Sequence, residues 1–361
     1  MGTKHFAIPV DKTGWKVADG SGTVRFSWNY DEGREKLLNL YDKGKRRQWN
    51  SDTRIDWSLE LDPMNPMSVI DDQVPIYGSE IWERLDTKAR GELRQHLAAW
   101  QFSQFLHGEQ GALICASKIV QNVPELDSKF YAATQVMDEA RHVEVYSAFL
   151  DKIGLAYPIN ANLREILEDV LTDSRWDMTY LGMQVLIEGL ALAAFGLIRN
   201  FTQNDLARTV TAYVMQDEAR HVTFGRNVLR EYYPSLTEAE RHEREDFCAE
   251  ACYLMRDRFL ATEVWEQIGL PVDQCRTWVE QSEGQLAFRS LLFMRIVPIL
   301  RDIGLWGPKM RETFEKMGVI GFADTDLDAV MAEDEKVAEE IDELRSAQVA
   351  QAIRDGEAEL G

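Results

Sequence analysis

Paired cysteines are missing from this chain of 361 residues, which has four cysteines and no CxxC motif. That scarcity excludes a disulfide framework, an iron–sulfur cysteine set and a rubredoxin-like iron site. The N-terminal stretch also lacks an apolar run after a basic start, so no secretory signal is predicted. We therefore expect a cytoplasmic protein.

Positive charge is in deficit, because 40 Lys and Arg residues face 61 Asp and Glu residues and the formal net charge is −21. Such a field repels phosphate backbones and anionic membrane surfaces, so neither nucleic acid nor a membrane is an expected partner. Residues 181–198 are apolar enough to suggest a membrane span, with only Gln184 and Glu188 polar. The central carboxylate instead favours a helix in the core of a bundle.

Prolines are few after residue 80, and the long stretches between them have apolar residues at intervals of three and four. This pattern predicts an all-α fold. The predicted helices cover about 86–123, 125–153, 163–200, 203–232 and 236–268, with more helices to about 303 and one in the tail. We expect an irregular N-terminal extension (1–80) packed on the core, a helical domain (81–330) and an acidic helical tail (331–361).

Histidine is also scarce, yet two of the six histidines belong to an identical hexapeptide, DEARHV, which begins at Asp138 and again at Asp217. Residues three apart share one face of a helix. Glu139 with His142, and Glu218 with His221, therefore each present a carboxylate and an imidazole together. Each pair is half of a metal site.

Two further carboxylates lie thirty residues upstream of these pairs, Glu109 before Glu139 and Glu188 before Glu218. Each is surrounded by apolar residues. A buried, unpaired carboxylate costs several kcal/mol, so such a residue is normally paired, neutralised or bound to a metal. Thirty residues also allow a helix to reverse and return to the same level in an antiparallel hairpin.

Four carboxylates and two imidazoles thus converge in a four-helix bundle, where two cations of charge two or three would balance the charge. Mixed oxygen and nitrogen ligation favours iron or manganese over a soft metal, although affinity alone does not exclude zinc. We predict two iron ions, with Mn/Fe as the alternative, held by six residues that are both the metal ligands and the catalytic set: Glu109, Glu139, His142, Glu188, Glu218 and His221.

The rest of the hexapeptide predicts a supporting network. Asp138 and Asp217 are each placed to bind the histidine of the other helix, which would orient the ring. Arg141 and Arg220 would then hold these aspartates ionised. The alternative is ordinary salt bridging between helices.

Residues one turn from the predicted ligands are candidates for a substrate pocket, with plain core packing as the alternative for each. Their mainly apolar character predicts a small hydrophobic or aromatic substrate. The candidates are Phe105, Gln135, Tyr146, Gln184, Leu192, Val214 and Gly225.

With these motifs the chain resembles the ferritin-like di-iron carboxylate superfamily. The phrase Asp-Glu-x-Arg-His is similar to that of the hydroxylase subunits of bacterial multicomponent monooxygenases, and LHGEQGAL (106–113) resembles aminobenzoate N-oxygenase-like proteins. The resemblance implies a ferritin-like bundle and a di-iron monooxygenase that oxidises an organic substrate with O₂. It also implies a separate electron donor, a ferredoxin or a reductase, and a homodimer is expected.

Two positions sharpen the choice within that superfamily. Aminobenzoate N-oxygenases have an additional histidine ligand four residues before the last glutamate, and Val214 stands there, which puts N-oxygenation specifically in doubt. Tyr146 stands where the ribonucleotide reductase small subunit has its radical tyrosine, so radical generation is one alternative. A non-catalytic metal-binding bundle is the other.

Overall fold

The computed structural model describes residues 5–7 and 33–359, and these are almost entirely helical. A two-residue parallel pair, β1 (His5–Phe6) with β2 (Leu155–Ala156), is the sheet of the described chain. A π-helical segment (Leu181–Ile187) joins α7 to α8, and short 3₁₀ turns occupy Asp71–Gln73, Tyr233–Ser235, Arg258–Leu260 and Ile320–Asp324. The α-helices are α1 (Glu35–Arg46), α2 (Ser51–Arg54), α3 (Glu80–Arg84), α4 (Thr87–Asn122), α5 (Leu126–Ile153), α6 (Ala161–Thr172), α7 (Trp176–Tyr180), α8 (Glu188–Phe201), α9 (Asp205–Tyr232), α10 (Glu238–Asp257), α11 (Thr262–Gln267), α12 (Val272–Gln281), α13 (Glu283–Leu291), α14 (Ile296–Asp302), α15 (Pro308–Lys316) and α16 (Leu327–Glu359).

Four long helical segments form a ferritin-like bundle of two antiparallel hairpins, which confirms the predicted fold class. The first hairpin is α4 with α5, and the second is the continuous helix Trp176–Phe201 with α9. Local chemistry sets their ends. The Asp86 side chain accepts the backbone N–H of Ala89 at the start of α4, and Gly154 ends α5 in the left-handed conformation with φ of 76°.

Two segments predicted as single helices are interrupted in the structure, so the prediction of a continuous helix was wrong for both. The helix predicted over 163–200 ends at Thr172 and restarts at Trp176, because the Asp173 side chain accepts the backbone N–H of Arg175 and stops the helical ladder. The helix predicted over 236–268 breaks near Ala261, whose φ is 50°. Apolar periodicity continues through both breaks and does not reveal them.

The two ends of the described chain pack on the bundle. In the segment predicted to be irregular, α1 lies against α5 and α9, so residues 33–80 include regular helix. Residues 1–4 and 8–32 of that segment lie outside the described residues. The predicted acidic tail is the helix α16, which begins at Leu327 and packs against α9.

The helix Trp176–Phe201 is long and apolar enough to cross a membrane by length and composition alone. In the bundle, however, 83% of its most apolar window is buried. A helix that is apolar on all sides is expected at the centre of a large helical protein. This burial accounts for its composition.

Candidate metal centre

Six predicted ligands come from the middle of the four bundle helices. Glu109 lies on α4, Glu139 and His142 lie on α5, and Glu218 and His221 lie on α9. Glu188 begins α8, directly after the π-helical segment. Glu109 is 5% exposed and each of the other five is at most 2% exposed. The structure therefore brings all six together in the buried core of the bundle.

The first group of possible ligand atoms belongs to Glu109, Glu139, His142 and Glu218, and these atoms lie within 4.8 Å of one another. His142 Nδ1 is 3.2 Å from Glu109 Oε2, 3.2 Å from Glu139 Oε2 and 3.1 Å from Glu218 Oε1. Three carboxylates thus surround one imidazole nitrogen. This is a four-residue donor set for one metal ion.

The second group belongs to Glu139, Glu188 and His221, again within 4.8 Å. His221 Nδ1 is 3.1 Å from Glu139 Oε1 and 3.6 Å from Glu218 Oε2. Glu139 and Glu218 therefore each direct one oxygen to His142 and the other to His221. Two carboxylates shared in this way join the two groups into one dinuclear donor set.

Four carboxylates crowd into one buried space at this centre. Burial raises the pKa of Glu109 and of Glu188 well above its usual range, and the nearby Glu218 carboxylate raises both further. Both oxygens of Glu218, one oxygen of Glu188 and Nδ1 of His221 are buried without a hydrogen-bond partner. Buried polar atoms are normally satisfied, so these orphaned donor atoms fit cations at the centre.

Each histidine is oriented by an aspartate from the other hairpin. His142 Nε2 lies 3.1 Å from Asp217 Oδ2, and His221 Nε2 lies 3.3 Å from Asp138 Oδ2. Because the Nε2 atoms face these carboxylates, both Nδ1 atoms point to the centre. This is the arrangement in which an outer carboxylate fixes the tautomer of a metal-ligating histidine.

Two buried arginines join the same aspartates. Arg141 donates to Asp138 at 2.6 Å and to Asp217 at 2.7 Å, and Arg220 pairs with Asp217 and lies 3.5 Å from Asp138. Although burial opposes charge on Asp217, Arg220 and Arg141 hold its pKa well below the usual range. The aspartates and arginines of the two repeats thus form one cross-linked layer next to the ligands.

Two residues of the N-terminal extension complete this layer, and the sequence analysis did not identify them. Trp49 Nε1 donates to Asp217 at 2.9 Å. Gln48 donates to Asp138 at 2.8 Å and accepts from Arg141 at 2.7 Å. No local spacing pattern marks these two residues, because they reach the bundle from a distant part of the chain.

Three of the predicted pocket residues form a contact between helices. Gln135 donates to Glu139 at 3.0 Å and to Glu188 at 2.8 Å, and Gln184 donates to Gln135 at 3.4 Å. A Cβ atom on Gly225 would lie 2.5 Å from Cβ of Gln184. Gly225 therefore allows α9 to approach the π-helical segment closely, and the glutamines position two ligands.

A small cavity of about 20 Å³, the inner cavity, borders the centre and is lined by Glu109, Glu188, Glu218, Phe105 and Arg258 among others. Of the seven predicted pocket residues, Phe105 is the one that lines it in the described chain. Arg258 also lines it, and the sequence analysis did not single out that residue.

The remaining predicted pocket residues lie in the packed core around this cavity. Leu192 and Val214 have no exposed surface. Tyr146 lies 5.7 Å from the Phe105 ring, and its buried hydroxyl has no hydrogen-bond partner. Six of the predicted pocket residues are therefore core residues that do not line the inner cavity: Gln135, Gln184, Tyr146, Leu192, Val214 and Gly225.

The π-helical segment immediately before Glu188 was not predicted. A π turn adds a residue to a helical turn, and such turns are frequent at functional sites. Here it precedes Glu188, the one predicted ligand at the start of a helix. Glu188 therefore occupies a different rotational position around the helix axis from the one it would have in an uninterrupted α-helix.

The sequence model of the family described as p-aminobenzoate N-oxygenase AurF matches residues 31–304. No curated protein sequence matches the chain.

Several solved structures are similar to the chain at low sequence identity. A Synechococcus protein with aldehyde deformylating oxidase activity has 16% identity and a TM-score of 0.46, over 63% of this chain and 98% of that one. The dimanganese NrdF of Streptococcus sanguinis has 14% identity and a TM-score of 0.48, over 83% and 99%. A variant of an R2-like ligand-binding oxidase with an Mn/Fe cofactor has 18% identity and a TM-score of 0.48, over 78% and 97%.

Proposed function

The chain belongs to the p-aminobenzoate N-oxygenase AurF family and is a di-iron oxidoreductase; we propose that it uses O₂ to oxidise a small, largely apolar organic substrate. Radical generation of the ribonucleotide reductase type and non-catalytic metal binding are not favoured. Two iron ions are its cofactor.

The observation that carries this proposal is the pair of donor groups joined by Glu139 and Glu218. We assign Glu109 to one iron, Glu188 to the other, and one histidine to each. The orphaned oxygens of Glu188 and Glu218 support this assignment, because a cation would satisfy them.

When bound, two ferrous irons would pass two electrons from an external donor to O₂, and the substrate would give the other two as it is oxidised. The chain's own residues prepare that site. Asp217 and Asp138 orient the Nδ1 atoms of the two histidines, and Gln135 holds Glu139 and Glu188 in place. The buried surroundings exclude bulk water, which strengthens each of these interactions.

Membership of the family does not decide whether a nitrogen or a carbon atom of the substrate receives the oxygen. Val214, fully buried one turn before Glu218, offers no ligand atom to the second group. That group has one histidine and no further nitrogen donor in the described chain. We therefore propose oxidation of an organic substrate as the function and treat nitrogen and carbon as outcomes of the test.

The test uses the full chain loaded with ferrous iron, reduced chemically under anaerobic conditions and then exposed to ¹⁸O₂ with p-aminobenzoate, aniline or toluene. We expect two irons per chain and ¹⁸O in a product detected by mass spectrometry. An N-oxidised product identifies an N-oxygenase, and a hydroxylated carbon identifies a C-oxygenase. Iron uptake well beyond two ions per chain without any oxidised product contradicts the proposal.

We further propose a cytoplasmic homodimer that receives electrons from a separate ferredoxin or reductase. The four cysteines support a separate donor, because each is a buried free thiol and none pairs into a redox disulfide. Light scattering of the purified chain measures the mass. Turnover with an added ferredoxin and its reductase, compared with the reductase alone, tests the donor.

A further inference from the structure

A cavity with a volume of about 400 Å³, which we name the basic groove, lies between α1, α9 and α16. Two carboxylates line it, those of Asp328 and Glu335. Six cationic side chains face them: Lys36, Lys43, Arg47, Arg220, Arg226 and Arg230. Because acidic residues outnumber basic residues by 61 to 40 in the whole chain, the groove is a local reversal of the charge.

The groove approaches the metal centre from the side of the two aspartates that orient the histidines. Arg220 lines the groove and pairs with Asp217, whose carboxylate lies 3.1 Å from Nε2 of His142. Among the described residues, none lines both the groove and the inner cavity. A molecule bound in the groove is therefore two side chains away from a predicted ligand, and it does not occupy the inner cavity.

The end of α1 gives the groove a second connection to this layer. Arg47 lines the groove. The next residue, Gln48, donates to Asp138, and Trp49 donates to Asp217. The rate of electron transfer falls steeply with distance, so a protein that delivers electrons must bind close to the metals. The groove meets this requirement, because its walls contact both aspartates.

The groove already binds carboxylates of this chain. On α16, Glu335 lies 2.6 Å from Lys43 and 3.1 Å from Arg47. One turn pair earlier on the same face of that helix, Asp328 lies 2.5 Å from Arg226. Carboxylates spaced along a protein surface therefore fit the cations of the groove.

Two cations at the rim of the groove are accessible to solvent. Lys36 is exposed, and the Arg230 side chain is 56% exposed, with Asp302 3.8 Å away. Carboxylates of another protein can reach both side chains without displacing α16. Charges at the rim of an interface steer association and select the partner. The net charge of −21 repels an acidic partner from the rest of the surface, which favours binding at the groove.

We propose that the basic groove is the docking site of a small acidic protein that carries single electrons, of the ferredoxin kind, and that Lys36 and Arg230 bind its carboxylates. This inference rests on the proposed function, because an O₂-dependent oxidation needs two electrons from outside. Two reduced carriers dock in turn, and each loses one electron. Together they convert two ferric ions to two ferrous ions, and no atom is transferred.

Equilibrium binding tests the docking site without turnover. Isothermal titration calorimetry measures the affinity of the iron-loaded full chain for two oxidised acidic carriers, a plant-type ferredoxin with a two-iron cluster and a bacterial ferredoxin with four-iron clusters. We expect at least one of them to bind at about 0.01 M salt. Its affinity should fall by about 0.1 M salt, because the screening length decreases from about 30 Å to about 10 Å.

The double variant Lys36→Glu with Arg230→Glu replaces attraction at the rim with repulsion. It should weaken binding of the carrier about tenfold or more at low salt. The matched control is Arg84→Glu with Arg164→Glu, which changes the net charge equally at side chains that are 78% and 48% exposed and do not line the groove. The control should bind the carrier within about threefold of the natural sequence.

Three binding results overturn the proposal. The first is that neither ferredoxin binds at low salt. The second is that the rim variant binds as tightly as the natural sequence. The third is an equal loss of affinity in the rim variant and the control, because net charge alone would then explain the effect.

Reduction of the diferric chain is the second measurement. Stopped-flow absorbance under anaerobic conditions follows the loss of the ferric signal after mixing with a limiting concentration of the reduced carrier. The rim variant should react about tenfold more slowly than the control, and dithionite should reduce all three proteins at one rate. Equal rates with the carrier overturn the proposal.

The docking site and the proposed function fail in different ways. Binding and reduction that behave as expected, without ¹⁸O in any product, count against the proposed function alone. An oxidised product formed with a chemical reductant, together with no binding of either ferredoxin, counts against the docking site alone.

Discussion

Replacing Asp217 with asparagine tests whether the layer beneath the ligands serves the metals or only the fold. Asp217 is fully buried and accepts from Trp49 and Arg141, pairs with Arg220 and orients His142. Asparagine has nearly the same shape but no charge. Its amide N–H₂ group is a hydrogen-bond donor and would face the N–H groups that donate to Asp217.

The size of the effect follows from these contacts. Hydrogen bonds to charged groups contribute about 1.5–3 kcal/mol each, and breaking a buried ion pair costs about 3–5 kcal/mol. We therefore expect Asp217→Asn to lower the free energy of unfolding by about 3–5 kcal/mol. Loss of the outer partner of a metal-ligating histidine lowers metal affinity about 10–100-fold.

Asp177→Asn is the control that separates the two effects. Asp177 is also buried and accepts from Arg244 at 3.0 Å and 3.3 Å. It lies on the same continuous helix as Glu188, about 16 Å away along the axis. This variant should lose stability without any loss of iron affinity.

The assays are urea unfolding for stability and anaerobic competition with a chromophoric chelator for ferrous iron affinity, at a temperature where both variants are folded. An iron affinity of Asp217→Asn equal to that of the natural sequence would refute the assignment of Asp217 to the metal centre. Equal losses of affinity in both variants would show that reduced stability alone explains the effect.

Three further predictions concern other parts of the chain. Glu188→Ala should reduce bound iron, measured by elemental analysis, from two ions to about one per folded chain, because Glu188 belongs to the second donor group alone; two ions with full O₂ reactivity would contradict the six-ligand assignment. Gly225→Ala should lower the free energy of unfolding by about 1–3 kcal/mol, because its Cβ would lie 2.5 Å from that of Gln184; an unchanged urea midpoint would refute the close approach. The four thiols should not react with Ellman's reagent at pH 8 until urea unfolds the chain, because burial raises the pKa of Cys115, Cys248 and Cys252 and raises that of Cys275 to about 11; rapid reaction of the native protein would contradict this.

The sequence by itself determined the helical class and the identity of the six candidate ligands. Both depend on local geometry: residues three apart on a helix share a face, so Glu139 with His142 and Glu218 with His221 are recognisable within one turn. The buried setting of Glu188 was likewise visible in its apolar neighbours. The thirty-residue offset also indicated antiparallel hairpins, but it did not indicate how one hairpin packs against the other.

Only the tertiary structure decided which distant residues meet this centre. Gln48 and Trp49 reach it from the N-terminal extension, and Arg258 reaches it from a turn after the bundle. Periodicity reports which face of a helix is buried, but the partner of that face depends on helix rotation and chain connection, and these are set by contacts between residues far apart in the sequence.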